Sequence, residues 1–372
     1  MRERLFHPGP RLQPAPYNEA ADLGQVLPPI QAQAPLFPME GMWCGSCRLR
    51  DLCASQMSHH ACPEHPVDIA SLPFHPVSDY GRAALTAVGG AALDDIPGRF
   101  VQVPPLGLYV PQLRFLSELA GHLPPRLAYG IRLDQILRKH IHSADDVRSK
   151  CGVPEASALV LFCSAHDNVL ESLWDDHKRA RAVAGGGWDL VTAPSFSLWY
   201  RRPRPMHFHA IRRSFDAYAA LLDLGAPAIP RVGFVDTRDV ERQAAWCNAN
   251  TSVATVSVDL MTLHQATEWQ ENAALLEMFD QLTNQRLTYI ADGVRRPSRV
   301  RHLAELLGDR VVVSEATIAR PAAKPFIPPT QPEPLRSEWE RRIHLQDEVV
   351  IRAHQQAQRH RQTSIGGSRA AA

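Results

Sequence analysis

At 372 residues the chain is long for one core, so one large domain with appendages, or two domains, is expected. Lysine and arginine total 40 against 39 aspartates and glutamates, and the net charge of +1 excludes a global basic field; any nucleic-acid contact must come from a local patch. No apolar run approaches the roughly 20 residues of a spanning helix, and the opening M-R-E-R-L-F-H-P-G-P holds no signal-peptide core, so the chain reads as cytoplasmic with no membrane partner.

Residues 1–40 carry eight prolines and little periodic hydrophobicity, which predicts a Pro-rich disordered arm. Residues 41–66 follow as a Cys-rich segment, W-C-G-S-C-R-L-R-D-L-C…H-A-C-P. They set Cys44, Cys47, Cys53 and Cys62 in the pattern C-x2-C-x5-C-x8-C. In a reducing compartment, thiolates gathered in this way hold a metal rather than form disulfides. A four-cysteine zinc site usually pairs two C-x2-C knuckles, whereas here one close pair is joined by two scattered cysteines, the last before Pro63. That spacing favours a 4Fe–4S cluster over zinc, although His59, His60 or His65 in place of one thiolate would suit zinc. Nothing near the cysteines supplies a substrate pocket, so the expected role is to staple a small N-terminal module.

Residues 67–320 alternate short apolar strands with amphipathic helices. R-F-V-Q-V-P-P predicts a strand before a helix over 112–121, and L-A-Y-G-I-R-L a strand before the helix D-Q-I-L-R-K-H. A-L-V-L-F-C-S-A-H-D leads into a helix over 169–184, and W-D-L-V-T-A-P-S-F-S into one over 206–224. A-P-A-I-P-R-V-G-F-V-D precedes 238–248, S-V-A-T-V-S-V-D precedes 270–282, R-L-T-Y-I-A-D-G precedes 298–307, and R-V-V-V-S-E closes the series. Valine, isoleucine and leucine runs without polar alternation suit strands buried on both faces of a parallel sheet. Their number predicts an α/β fold, a (β/α)8-barrel-like domain, with an open doubly wound sheet as the alternative. No G-x-G-x-x-G follows the first strand and no G-x-x-x-x-G-K-[ST] occurs, which disfavours nucleotide folds. Residues 321–335 read as a Pro-rich linker. Residues 336–362 read as one C-terminal helix with Trp339, Ile343 and Val350 on one side, and 363–372 as a disordered tail.

A barrel carries its active site at the C-terminal ends of its strands. His166 and Asp167 close one predicted strand and Ser195 and Ser197 another, while Asp236, Asp259, Asp292 and Glu315 end four more. These acids are expected to converge on one mouth, with Asp167, Asp236, Asp259 and Asp292 as catalytic candidates for dividing acid and base roles. The competing role for any of them is a helix N-cap worth roughly 1 kcal/mol. Candidate substrate-binding residues are His166, Ser195 and Ser197, together with the run S-F-S-L-W-Y-R-R-P-R-P-M-H-F-H. That run brings Arg201, Arg202, Arg204, His207 and His209 together with Trp199 and Tyr200. Guanidinium groups pair with phosphates and aromatic rings stack on bases, so DNA or RNA is the partner such a loop would suit.

The stretch V-T-A-P-S-F-S-L-W-Y-R-R-P-R-P, the long helix after it and L-G-A-P-A-I-P-R-V-G-F-V-D resemble the uncharacterised domain-of-unknown-function family 4417, over roughly residues 155–320. Members of that family occur on phages, plasmids and bacterial chromosomes. The resemblance implies no activity, and Ser195 stands where many relatives carry an acid. Three functions fit the sequence. The first is a barrel enzyme acting on the bases or sugar–phosphate bonds of a nucleic acid or nucleotide. The second is a non-catalytic nucleic-acid-associated factor of a mobile element. The third is a metal-dependent small-molecule hydrolase or isomerase using His166 and the acids.

Overall fold

Short runs of aliphatic and β-branched residues form parallel strand segments: β1 (Tyr109–Leu113), β2 (Ala128–Arg132), β3 (Ala158–Phe162), β4 (Leu190–Thr192), β5 (Ala228–Ile229), β6 (Arg231–Val232), β7 (Thr255–Asp259), β8 (Thr288–Asp292) and β9 (Val311–Glu315). The computed structural model describes residues 88–113, 123, 125–138, 141–198, 204–263, 265–294, 296–315, 344 and 347–360. The four clustered cysteines, the Pro-rich arm, the linker and the tail lie outside the described residues. The strands order as β5-β4-β3-β2-β1-β9-β8-β7-β6, every adjacent pair parallel.

The two ends of that order are neighbours in the chain. β5 and β6 flank Pro230, which has no N–H to give to a ladder. On one side the Val191 and Ala193 N–H groups donate to the carbonyls of Pro227 and Ile229, at 3.0 and 2.9 Å; on the other, the Ser257 N–H donates to Pro230 O at 2.9 Å. The two segments are therefore halves of one stave, and eight staves close into a parallel barrel.

Helices follow the strands: α1 (Leu133–Arg138), α2 (Ala144–Cys151), α3 (Asp167–Asp175), α4 (His177–Ala184), α5 (Arg204–Asp223), α6 (Thr237–Ala249), α7 (Ala266–Leu282) and α8 (Pro297–Leu307), with α9 over 347–360. Their starts are written in local chemistry. Ser143, Asp176 and Asp236 cap α2, α4 and α6 with side-chain oxygens, Gln265 and Glu268 form a capping box on α7, and Pro297 opens α8. Asp176 also splits into α3 and α4 the stretch that reads in sequence as one helix.

Strand residues alternate between two cores, as a two-residue period demands. Tyr129, Ile131, Leu159, Leu161, Val256, Val258, Tyr289, Ala291, Val311 and Val313 face the helices in the larger core. Val110, Ala128, Val160, Phe162, Leu190, Ile229, Ile290 and Val312 fill the lumen, with Leu106, Val101 and Val103 packed against them.

That last contact corrects the expected start of the barrel. R-F-V-Q-V-P-P is not a strand: it runs without regular structure against the apolar end of the lumen. The first strand is Tyr109–Leu113, where the sequence suggested a helix beginning at residue 112. Pro111 sits on this strand, whose buried parallel pairing on both sides decides its state. The preceding segment straps the outer helices. The Trp246 indole N–H donates to Ile96 O at 2.8 Å, and the Gly98 N–H to the Asn250 side chain at 2.7 Å.

Candidate active site

Two residues separate apolar from polar side chains on nearly every stave. Inside the barrel Val110 gives way to Gln112, Ile229 to Arg231, Ile290 to Asp292 and Val312 to Ser314, while Ser164 lies two residues beyond Phe162. The register places Asp259 beside Asp292 and Asp292 beside Ser314. The C-terminal end of the lumen is therefore polar, and the opposite end is an apolar plug.

The polar groups form one connected network with a fixed direction, because arginine only donates and a carboxylate only accepts. Arg231 Nη1 donates to Ser164 Oγ at 3.0 Å, and Ser164 Oγ donates in turn to Asp292 Oδ2. Gln112 Nε2 donates to Asp292 Oδ1 at 2.5 Å and to Ser314 Oγ at 3.0 Å, and the Ser314 hydroxyl donates to Val110 O at 2.9 Å. Arg231 Nη2 pairs with Asp259 Oδ2 at 2.7 Å. The Arg231 side chain is 4% exposed, and burial pushes its pKa down to about 10 with Asp292 acting in the opposite sense, so it stays charged at neutral pH. Gln112 Oε1 is buried and, among the described residues, has no hydrogen-bond partner.

Asp259 is the carboxylate that solvent reaches, at 18% exposure against 1% for Asp292. Its Oδ1 accepts from the Met261 N–H at 2.9 Å. Gly130 makes room for the network: a Cβ there would lie 2.5 Å from the Phe162 ring and 3.3 Å from Gln112 Cγ. Above it, Arg132 ends β2 and extends toward Met261, in the turn after β7.

Of the acids expected to converge, the structure brings together Asp259 and Asp292. Asp236 lies four residues past the end of β6 and accepts at 3.1 Å from the N–H groups of both Arg238 and Asp239, as the N-cap of α6. Asp167 is the first residue of α3, behind the exposed N-cap residue His166. Glu315 follows the inward Ser314 and so turns to the outer side of the wall. Ser195 and Ser197 are half-buried beyond β4, and the Ser195 N–H donates to Cys163 O at 3.3 Å. Arg204 begins α5 and His207 is buried on it, while Arg201 and Arg202 lie outside the described residues.

Sequence reasoning passed over Arg231, Ser164, Gln112 and Arg132. The signal was present: in A-I-P-R-V, a lone arginine stands two residues after an inward isoleucine, at a position buried on both faces. Away from the lumen, an apolar crevice among the helices is lined by Leu170, Trp174, Phe196 and Leu221. Among the described residues no group of three or more His, Cys, Asp or Glu is placed to hold a metal ion, and no helix is long and apolar enough to cross a membrane.

No family model and no curated protein matches the chain. Among solved structures it is similar to a cube-shaped, highly porous protein cage designed by fusing symmetric oligomeric domains, at 11% identity over 72% of this chain and 78% of that one, with a TM-score of 0.39. It is also similar to a structure described as native KDPGal, at 10% identity over 70% of this chain and 99% of that one, with a TM-score of 0.37. Likenesses this distant say nothing about chemistry, which rests on the residues of the lumen.

Proposed function

We propose that the chain is a barrel enzyme working at the C-terminal mouth of its lumen, on a nucleic acid or a nucleotide. The observation that carries this reading is the network joining Gln112, Ser164, Arg231, Asp259, Asp292 and Ser314. Side chains on or just beyond six staves converge where a barrel keeps its chemistry. Asp259 is the proton-transferring group, because it faces solvent while Arg231 and the Met261 N–H hold its two oxygens in place. Asp292 touches Gln112 and Ser164 and acts as a positioning residue. The choice of substrate is supported by the basic and aromatic run that follows β4 in the chain and continues into the first turns of α5. The four N-terminal cysteines are proposed to hold an accessory cluster, 4Fe–4S before zinc, and the likeness to family 4417 belongs to the same proposal.

The test is a product screen by mass spectrometry, with oligonucleotides and free nucleotides offered to the wild type, Asp259→Asn and Asp292→Asn. Product from the wild type, lost in Asp259→Asn while its circular dichroism is unchanged, is the expected result. Undiminished product from folded Asp259→Asn would remove Asp259 from the chemistry and the reading with it.

A further inference from the structure

Arg132 stands on the inward face of β2, two residues beyond Gly130, and its side chain is 19% exposed at the mouth. Its Nε lies 3.2 Å from Asp134 Oδ1, and its Nη1 meets a thioether, Met261 Sδ, at 3.5 Å. Among the described residues Nη2 has no partner. This is an unusual way to leave a guanidinium. A thioether is a weak acceptor, whereas the terminal edge of the fork matches two oxygens of a carboxylate or a phosphate.

The neighbouring carboxylates are already engaged. Asp259 is held by Arg231 and the Met261 N–H, and Asp292 by Gln112 and Ser164. Met261 is itself fixed in position: Gly293, at φ 86°, packs its backbone so closely against it that a Cβ would overlap Met261 Cγ. The turn that follows Asp259 thus sets sulfur, not oxygen, against the fork.

We propose that the Nη edge of Arg132 is an oxyanion subsite that takes a phosphate or carboxylate group of the substrate, an assignment that rests on reading the mouth as the active site. An incoming anion takes the place of the thioether as partner of the fork and gains two charge-assisted hydrogen bonds, beside the turn that follows Asp259. The test is calorimetric titration of the full chain with inorganic phosphate and, separately, acetate, with the melting temperature as a second readout. Saturable binding of one ion, weakened about tenfold or more in Arg132→Gln at unchanged circular dichroism, is expected. Binding of neither ion, or equal binding in Arg132→Gln, overturns the assignment. If Arg132→Gln does not fold, Met261→Glu keeps the arginine but offers its fork an internal carboxylate. That variant must then lose the binding, and undiminished binding overturns the subsite. Asp259→Asn separates the two readings, since anion binding that needs Arg132 persists in it even where product formation shows the acid–base assignment to be wrong.

Discussion

Charged groups in the helical layer and in the lumen are handled in opposite ways. In the helical layer several arginines close with both prongs of the fork on one carboxylate and tie two elements together. Arg213 makes two bonds to Glu171 at 2.7 and 2.6 Å with its guanidinium 3.9 Å from the Phe196 ring centroid, and Arg310 makes two to Asp280 at 2.5 and 2.6 Å. Arg212 clamps the N-terminal strap through Asp95 at 2.5 and 2.8 Å. In the lumen Arg231 divides its fork between Ser164 and Asp259, and Asp292 is shared by two donors from other strands. Closed pairs fix architecture. The shared network at the barrel mouth leaves Asp259 facing solvent and sets Arg132 against a thioether.

The largest effect should come from breaking the shared network. Arg231→Ala leaves Asp259 and Asp292 without their common counter-charge, and is expected to cost about 3–5 kcal/mol in urea unfolding. Arg310→Ala breaks a closed pair in which Asp280 is 19% exposed, so water can replace the lost donor and the expected cost is about 1–2 kcal/mol. Equal losses for the two variants would mean that the lumen charges are no more interdependent than those of the helical layer.

This contrast also explains what could be read beforehand. The barrel was legible because buried parallel strands write continuous Val/Ile/Leu runs and because helix starts carry their own caps, as Asp236, Gln265 and Pro297 do. The site was half legible. Asp259 and Asp292 stand at strand ends, where an acid is conspicuous, but Asp236 and Glu315 stand at similar places and point elsewhere. Position along a strand cannot separate them without the register, since one residue turns a side chain from lumen to helices. Arg231 and Gln112 were hidden for a related reason. Each is a single polar residue in a stretch whose neighbours dictate its structure, and its partners lie 67 and 180 residues away in Ser164 and Asp292.

A smaller effect, confined to the helical layer, concerns pH. Burial, with Arg213 adding repulsion, lowers the His209 pKa from 6.5 to about 3. Between those values the unfolded chain binds a proton that the folded chain refuses, so stability falls as pH drops from about 6.5 toward about 3. His209 is partly exposed, and the expected difference between wild type and His209→Gln over that window is about 1–3 kcal/mol, with the variant losing less. Parallel pH–stability curves would show that His209 keeps an ordinary affinity for protons.

The smallest effect draws the sharpest line between the regions, because it concerns an acid that sequence alone cannot sort. Asp236 spends Oδ1 on the N–H groups of Arg238 and Asp239, a structural task that asparagine performs almost as well. Asp236→Ala should lower stability by about 1 kcal/mol and Asp236→Asn hardly at all. Neither should change product formation, whereas the matching Asp259→Asn change in the lumen should abolish it. The measurement is a pair of denaturant midpoints with a product assay on the same samples. Loss of product in folded Asp236→Asn would place a helix-layer acid in the chemistry, and the division between closed architectural pairs and an open lumen network would fail at that residue.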